Sequence, residues 1–136
     1  MDDARKRYRW LGPGVLLGSL VPLAWLTADA LRGRLGADPV ALALNRLGLL
    51  ALILLIASLA ATPLRLLFGV TWPLRLRRQL GLTAFLYACL HFGLYVAIDQ
   101  GFAWRAIVAD VSERKFIMAG FAALCLLIPL AITSTH

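Results

Sequence analysis

Four apolar stretches, each close to 20 residues long, account for most of the 136-residue chain. They extend over about 11–31, 42–62, 80–98 and 116–133. A helix needs roughly 20 apolar residues to cross ~30 Å of hydrocarbon. Hydrophobic residues make up 61% of the chain and charged residues 15%, which is more apolar surface than a soluble domain of this length can bury. The sequence therefore predicts an all-α, polytopic membrane bundle in which four transmembrane helices form a single domain, residues 1–136.

The positive charge, formally +7, lies between the apolar stretches and at their ends. A nucleic-acid-binding protein has a continuous basic face instead, so we expect membrane lipid and not nucleic acid as a partner. The basic residues divide into eight on one side of the membrane and six on the other: Arg5, Lys6, Arg7, Arg9, Arg65, Arg75, Arg77 and Arg78, against Arg32, Arg34, Arg46, Arg105, Arg114 and Lys115. The positive-inside rule counts bases, and it predicts a cytoplasmic amino terminus.

Local signals predict where the spans end. The second stretch reaches Thr62-Pro63, and a residue before proline tends to leave the helical conformation, so a helix end is expected there. The basic segment that follows, LRLLFGVTWPLRLRRQLG, is expected to be a loop that Trp72 anchors at the level of the lipid headgroups. Cys89 and Cys125 fall inside predicted helices, where buried thiols without a disulfide are expected.

The segment DQGFAWRAIVADVSERK connects the third and fourth spans. Its apolar residues Phe102, Trp104, Ile107 and Val108 are followed by a charged stretch. This pattern is typical of a short amphipathic segment that lies on the outer membrane surface. The same segment is also suited to docking a soluble partner, and the sequence leaves both interpretations open.

One imidazole, that of His91, lies in the middle of the third apolar stretch. Gly81, Ala84, Ala88, His91 and Tyr95 are spaced by three and four residues, so they share one face of a helix. Small residues on such a face permit close helix packing, with the histidine hydrogen-bonded to a neighbouring helix. They also suit a haem plane lying against the helix, with the imidazole as axial iron ligand. The spacing alone does not separate these two interpretations.

Other chemistry lacks the residues that it needs. The sequence has no CxxC or HExxH motif, no pair of intramembrane carboxylates and no Gly-rich phosphate loop. Arg75, Arg77 and Arg78 lie within four residues of one another. Guanidinium groups at this spacing are suited to a flavin phosphate or a propionate, and equally to lipid headgroups.

The stretch RLRRQLGLTAFLYACLHFGLYVAIDQG resembles the MsrQ (YedZ) family, with ATPLR before it and GFAALCLLIPLAITST after it. The resemblance runs from about Asp38 to Thr135, and its most specific part is RRxLGLxAFxYAxLH. Members of this family are haem-binding membrane subunits of the periplasmic methionine-sulfoxide reductase system and have a ferric-reductase-like transmembrane fold. The histidine of YAxLH is a haem ligand in the family, which implies that His91 is the axial ligand here.

The resemblance further implies a haem b subunit in the bacterial inner membrane that passes electrons from the quinone pool, or from a flavin, to a periplasmic molybdenum-containing reductase. It also implies bound FMN, for which Arg77 and Arg78 are the candidate contacts. Such a chain is an electron-transfer subunit rather than the catalytic subunit. The alternative is a non-redox assembly or transport component in which His91 only packs.

Two departures from the family pattern concern the second iron ligand. The family often has a histidine at the head of the second helix, where this chain has Asn45. Family members also continue beyond the ITSTH end of this sequence into two further helices that carry the remaining ligand histidines. No other residue is a suitable substitute: Met118 is expected near the outer lip, His136 at the opposite membrane face, and Cys125, although close in depth to His91, lacks the positive partner that a thiolate ligand needs. We therefore expect the second ligand to come from further helices or from another subunit.

Overall fold

The structure is a computed structural model, and it describes residues 9–134. These residues form five α-helices and no strand: α1 Leu11–Leu31, α2 Pro39–Phe68, α3 Trp72–Leu94, α4 Trp104–Glu113 and α5 Lys115–Ser134. A π-helical turn, Tyr95–Asp99, extends α3. Within the described part of the chain, α1, α2, α5 and α3 with its π turn are the four helices long and apolar enough to cross a membrane. The all-α, four-span architecture is confirmed.

The predicted end of the second span at Thr62-Pro63 is wrong, because α2 continues through Pro63 to Phe68. A proline removes one helical hydrogen bond, and membrane helices tolerate this because neighbouring groups satisfy the freed carbonyl. The helix instead ends at Gly69, which adopts φ 67°, a left-handed conformation that glycine enters without steric cost.

The long loop predicted after the second span is also wrong. Only residues 69–71 separate α2 from α3, since α3 begins at Trp72 with Pro73 in its first turn, where proline is well tolerated. The basic segment is therefore helical. Arg65 lies on the last turn of α2, and Arg77 and Arg78 lie on the second turn of α3.

The helix α3 is central and packs against α1, α2 and α5. Tyr87 is fully buried, and its hydroxyl donates a 2.5 Å hydrogen bond to the carbonyl of Ser19 in α1. Ser58 of α2 donates to the carbonyl of Arg77 in α3 at 2.8 Å. By contrast, none of residues 115–133 of α5 is buried, so this helix lies at the periphery of the described bundle. Cys89 and Cys125 are free and exposed, so the expectation that both are buried is wrong.

The predicted amphipathic segment forms α4. Ile107 is buried, whereas Trp104 and Val108 are exposed. A sharp reversal precedes this helix: Gly101 and Phe102 both have positive φ, 54° and 61°. This reversal folds α4 back against the end of α3, and we call this end of the bundle the α4 end. The opposite end holds residues 69–71.

Tyr87→Phe tests the attachment of α3 to α1. The variant keeps the buried ring and removes the hydroxyl, which leaves the Ser19 carbonyl without this donor. We expect a loss of about 1 kcal/mol in unfolding free energy, the usual order for a hydrogen bond between membrane helices. Detergent-induced unfolding of the two proteins measures this difference in unfolding free energy. Thr27→Val is the control, because the Thr27 hydroxyl bonds only within α1, to Leu23. An equal effect of both variants would refute a specific role of Tyr87.

Candidate functional site

A cavity of about 510 Å³ lies between α2, α3 and α5, and α4 contributes to its wall at the α4 end. This volume falls within the usual range for small-molecule and cofactor sites. Small residues from three helices widen it: Gly48 and Ala51 from α2, Ala84 and Ala88 from α3, and Gly120 and Ala123 from α5. Most of the remaining lining is aliphatic or aromatic, and the exceptions are His91, Tyr95, Asn45 and Asp99. The site is therefore a largely apolar slot with one imidazole in its wall.

The imidazole of His91 is held in a fixed orientation by α2. Its Nδ1 atom lies 2.8 Å from the main-chain oxygen of Leu44. Because a carbonyl oxygen only accepts hydrogen bonds, Nδ1 must donate, and in the neutral ring Nε2 then keeps its lone pair. Metal-ligating histidines are typically fixed in this way by a hydrogen bond from the other ring nitrogen. The arrangement is suited to metal ligation as well as to a helix contact.

Gly48 explains how the ring comes so close to the backbone of α2. A Cβ atom at this position would lie 3.1 Å from Cε1 and 3.2 Å from Nδ1 of His91. Only glycine leaves this space open, so Gly48 forms a seat for the ring one helical turn from the Leu44 carbonyl. Residue 48 was not predicted as part of the site, since a lone glycine in an apolar helix usually marks helix packing.

The five residues predicted to share one face of α3 have two different surroundings, and Gly81 differs from the other four. Ala84, Ala88, His91 and Tyr95 line the cavity together. Gly81 does not line it, because it faces Ser58 of α2: a Cβ atom there would lie 3.3 Å from the Ser58 hydroxyl oxygen. The face therefore packs closely against α2 at Gly81 and lines a cavity from Ala84 onwards, while haem ligation by His91 stays a prediction.

Polar contacts that the sequence did not predict lie at the α4 end. The Tyr95 hydroxyl donates to Oδ2 of Asp110 at 2.9 Å, and the Gln100 side-chain amide donates to the same oxygen at 3.1 Å. Arg114 lies 3.8 Å from the other Asp110 oxygen. Asp110 belongs to α4 and comes beside Tyr95 only because of the reversal at Gly101 and Phe102. No spacing in the sequence indicates this proximity.

The other predicted site residues lie apart from His91. Arg77 and Arg78 are exposed near the opposite end and do not line the cavity. Asn45 lines the cavity from α2 but is an exposed amide. Neither Met118 nor Cys125 lines it; at that level α5 contributes Leu124 instead. His136 lies outside the described residues, as do the basic residues 5–7.

Within residues 9–134, no three side chains of the His, Cys, Asp or Glu type cluster in a metal-binding arrangement. A protein-built metal centre needs several such ligands. A single imidazole beside a flat apolar slot instead suits a metal that brings most of its ligands with it, as the iron of a porphyrin does.

The fold defines a transmembrane helix bundle with an internal cavity, and the comparison with known families agrees. Residues 47–136 match the family described as ferric reductase like transmembrane component. The match covers well over half of the chain, and the chain belongs to this family. No solved structure matches it significantly.

Curated relatives are more specific. A protein of Deinococcus radiodurans is 55% identical over 127 residues, which is 93% of this chain and 62% of the relative. A Rhodospirillum rubrum protein is 53% identical over 90% of this chain and 59% of the relative. A Ralstonia nicotianae protein is 42% identical over 96% and 60%. Each is named as the heme-binding subunit MsrQ of protein-methionine-sulfoxide reductase, and this chain spans about 60% of the length of each.

Gly48→Ala tests the seat of the His91 ring. The new methyl group requires the ring to move by a few tenths of an ångström, which lengthens the bond from Nδ1 to Leu44. We expect the Nδ1 hydrogen to exchange with solvent up to about tenfold faster, as a weakened hydrogen bond predicts. Nuclear magnetic resonance of protein labelled with ¹⁵N-histidine measures this exchange rate. Gly81→Ala is the control, since its methyl group would meet only the Ser58 hydroxyl. Unchanged exchange in Gly48→Ala would show that the ring is not seated there.

Proposed function

We propose that this chain binds haem b in the cavity through His91 and acts as the haem-binding membrane subunit of a protein-methionine-sulfoxide reductase system. The hydrogen bond from Nδ1 of His91 to Leu44 carries this proposal, because it leaves Nε2 as a neutral ligand in the wall of the slot. The names of the curated relatives support the same assignment.

The residues of the cavity fit such a group in shape and polarity. Ala84 and Ala88 provide a flat surface on α3, and Phe92 and Phe121 pack with ring centroids 5.9 Å apart at its edge. These side chains exclude water and keep the local dielectric low, which is one of the ways a protein sets a reduction potential. A bound haem supplies reversible one-electron transfer. The Leu44 carbonyl holds the His91 ring in one orientation.

The direction of electron transfer follows from the proposed orientation. The proposed location is the bacterial inner membrane, with the amino terminus in the cytoplasm. In this orientation the α4 end faces the periplasm. His91 is eight residues before Asp99, or roughly 12 Å along the helix from the end of the span. Electrons from the quinone pool or a flavin would then leave on the periplasmic side, toward a molybdenum-containing reductase subunit. The exposed apolar residues of α4 are the proposed contact with that partner or with the membrane surface.

His91→Ala tests the haem assignment. We expect the purified chain to carry haem with a Soret absorption band, and the variant to lose it because no other described nitrogen or sulfur ligand lines the cavity. Added imidazole should restore part of the band by occupying the space of the lost ring. Cys89→Ala is the control, since Cys89 is exposed and outside the cavity.

The spectrum of the unaltered chain also separates the alternatives. One intramembrane imidazole predicts a weakly bound, five-coordinate, high-spin haem. A stable low-spin spectrum would mean that a second ligand exists within the chain. A colourless protein, or equal haem content in His91→Ala, would favour a non-redox packing role for His91.

We also propose that Arg77 and Arg78 hold the phosphate of FMN at the opposite end. Both guanidinium groups are exposed on one helix, where charge-assisted contacts with an anion can form. Replacing both with glutamine should reduce FMN binding by about tenfold or more, measured by fluorescence titration. Arg32 and Arg34, an exposed pair at the α4 end, provide the matched control. Unchanged FMN binding in this double variant would contradict the proposed site and would favour lipid headgroups as the partners of Arg77 and Arg78.

A further inference from the structure

A polar contact that the proposed electron transfer does not itself require borders the α4 end of the cavity. Tyr95 lines the cavity, but its hydroxyl points away to Asp110 on α4, at 2.9 Å. Val111, the next residue of α4, lines the cavity too. The ring of Tyr95 therefore stands between the cavity and the surface helix.

The position of Tyr95 follows from its helix. It comes one turn after His91, so the two side chains share a face of α3. The π-helical turn begins at Tyr95. The main-chain N–H of Gln100 donates a hydrogen bond to the Tyr95 carbonyl at 2.9 Å. Such turns change the angular register of the side chains and recur at functional sites.

Asp110 is itself held by more than one partner. Gln100 donates to it at 3.1 Å, Arg114 lies 3.8 Å away, and its side chain is only 24% exposed. A phenol that donates to a carboxylate forms one of the stronger classes of hydrogen bond. The carboxylate thus keeps the Tyr95 ring in one rotamer, whereas a ring without this acceptor is free to turn away from the cavity.

We propose that Asp110 is a positioning residue that latches the Tyr95 ring over the α4 end of the cavity and so excludes water and small polar solutes from the space beside His91. The proposal rests on the proposed function only for the identity of the cofactor that the cavity holds. The latch itself is a property of the chain and is testable without haem.

The reaction rate of a thiol inside the cavity measures how well the Tyr95 ring excludes water-soluble molecules. Ala88→Cys places a thiol in the lining, in a background where Cys89 and Cys125 are serine. In the full chain without added haem, we expect a charged, water-soluble thiol reagent to react about tenfold faster after Tyr95→Phe or Asp110→Ala, the factor expected when a hydrogen bond to a charged group is lost. The double variant should react no faster than the faster single variant, because both changes break one bond.

Matched controls isolate the bond. When Cys89 is the retained thiol, it faces lipid on the outside of α3, so its reaction with the charged reagent should be slow and equally slow in every variant. Asp29→Ala breaks another carboxylate–arginine pair, with Arg46, at the same end without touching the cavity, and should have no effect. Asp110→Asn keeps an acceptor oxygen for the Tyr95 hydroxyl. The cavity thiol should therefore react within about twofold of its rate in the chain with Asp110.

Unchanged labelling in Tyr95→Phe and Asp110→Ala, additive effects in the double variant, or an equal effect of Asp29→Ala would each overturn the latch. The haem assignment is judged separately. If labelling responds as expected while His91→Ala leaves haem content unchanged, the latch stands and the proposed function fails. In haem-loaded protein, opening the latch should lower the reduction potential, because water stabilises the more highly charged oxidised form.

Discussion

The hydrogen bond from His91 to the Leu44 carbonyl is the constraint on which the site depends. A helical carbonyl already accepts one bond and has a second lone pair, which the His91 ring uses at 2.8 Å. Tyr87, one turn earlier on α3, does the same with Ser19 of α1. Because hydrocarbon offers no competing partners, these two bonds fix both the height and the rotation of α3 relative to α1 and α2. The cavity lies where that rotation turns Ala84 and Ala88 toward α5.

The cavity also depends on where side chains are missing. Gly48 admits the ring to the backbone of α2, and alanines and a glycine on α3 and α5 leave a slot instead of an interdigitated core. Since apolar side chains gain nothing by leaving lipid, membrane helices associate through small residues and hydrogen bonds, and an unfilled apolar slot costs less here than in a water-soluble core. A bundle of this kind can therefore hold a flat apolar cofactor without a large internal rearrangement.

Hydropathy was sufficient to predict four spans and to isolate His91, because a 20-residue apolar run and an imidazole within one have few physical explanations. It failed at the end of α2 and the start of α3. Helices continue beyond the hydrocarbon wherever the backbone permits, so Gly69, with its positive φ, determines the boundary and Pro63 does not. The contact between Tyr95 and Asp110 was unpredictable for another reason. It depends on a π turn and on a reversal at Phe102 with positive φ, and neither has a hydropathy signature.

The distribution of charge separates two proposed sites along α3. Arg77 precedes His91 by 14 residues, which corresponds to roughly 21 Å of helix. An anionic group held by Arg77 and Arg78 therefore does not share the cavity with a group ligated by His91. All five acidic residues within the described chain, at positions 29, 38, 99, 110 and 113, lie at the α4 end, whereas the described charged residues of the opposite end are all arginines. The opposite end therefore attracts an anionic ligand, whereas the five carboxylates of the α4 end nearly balance its six basic residues, at positions 32, 34, 46, 105, 114 and 115.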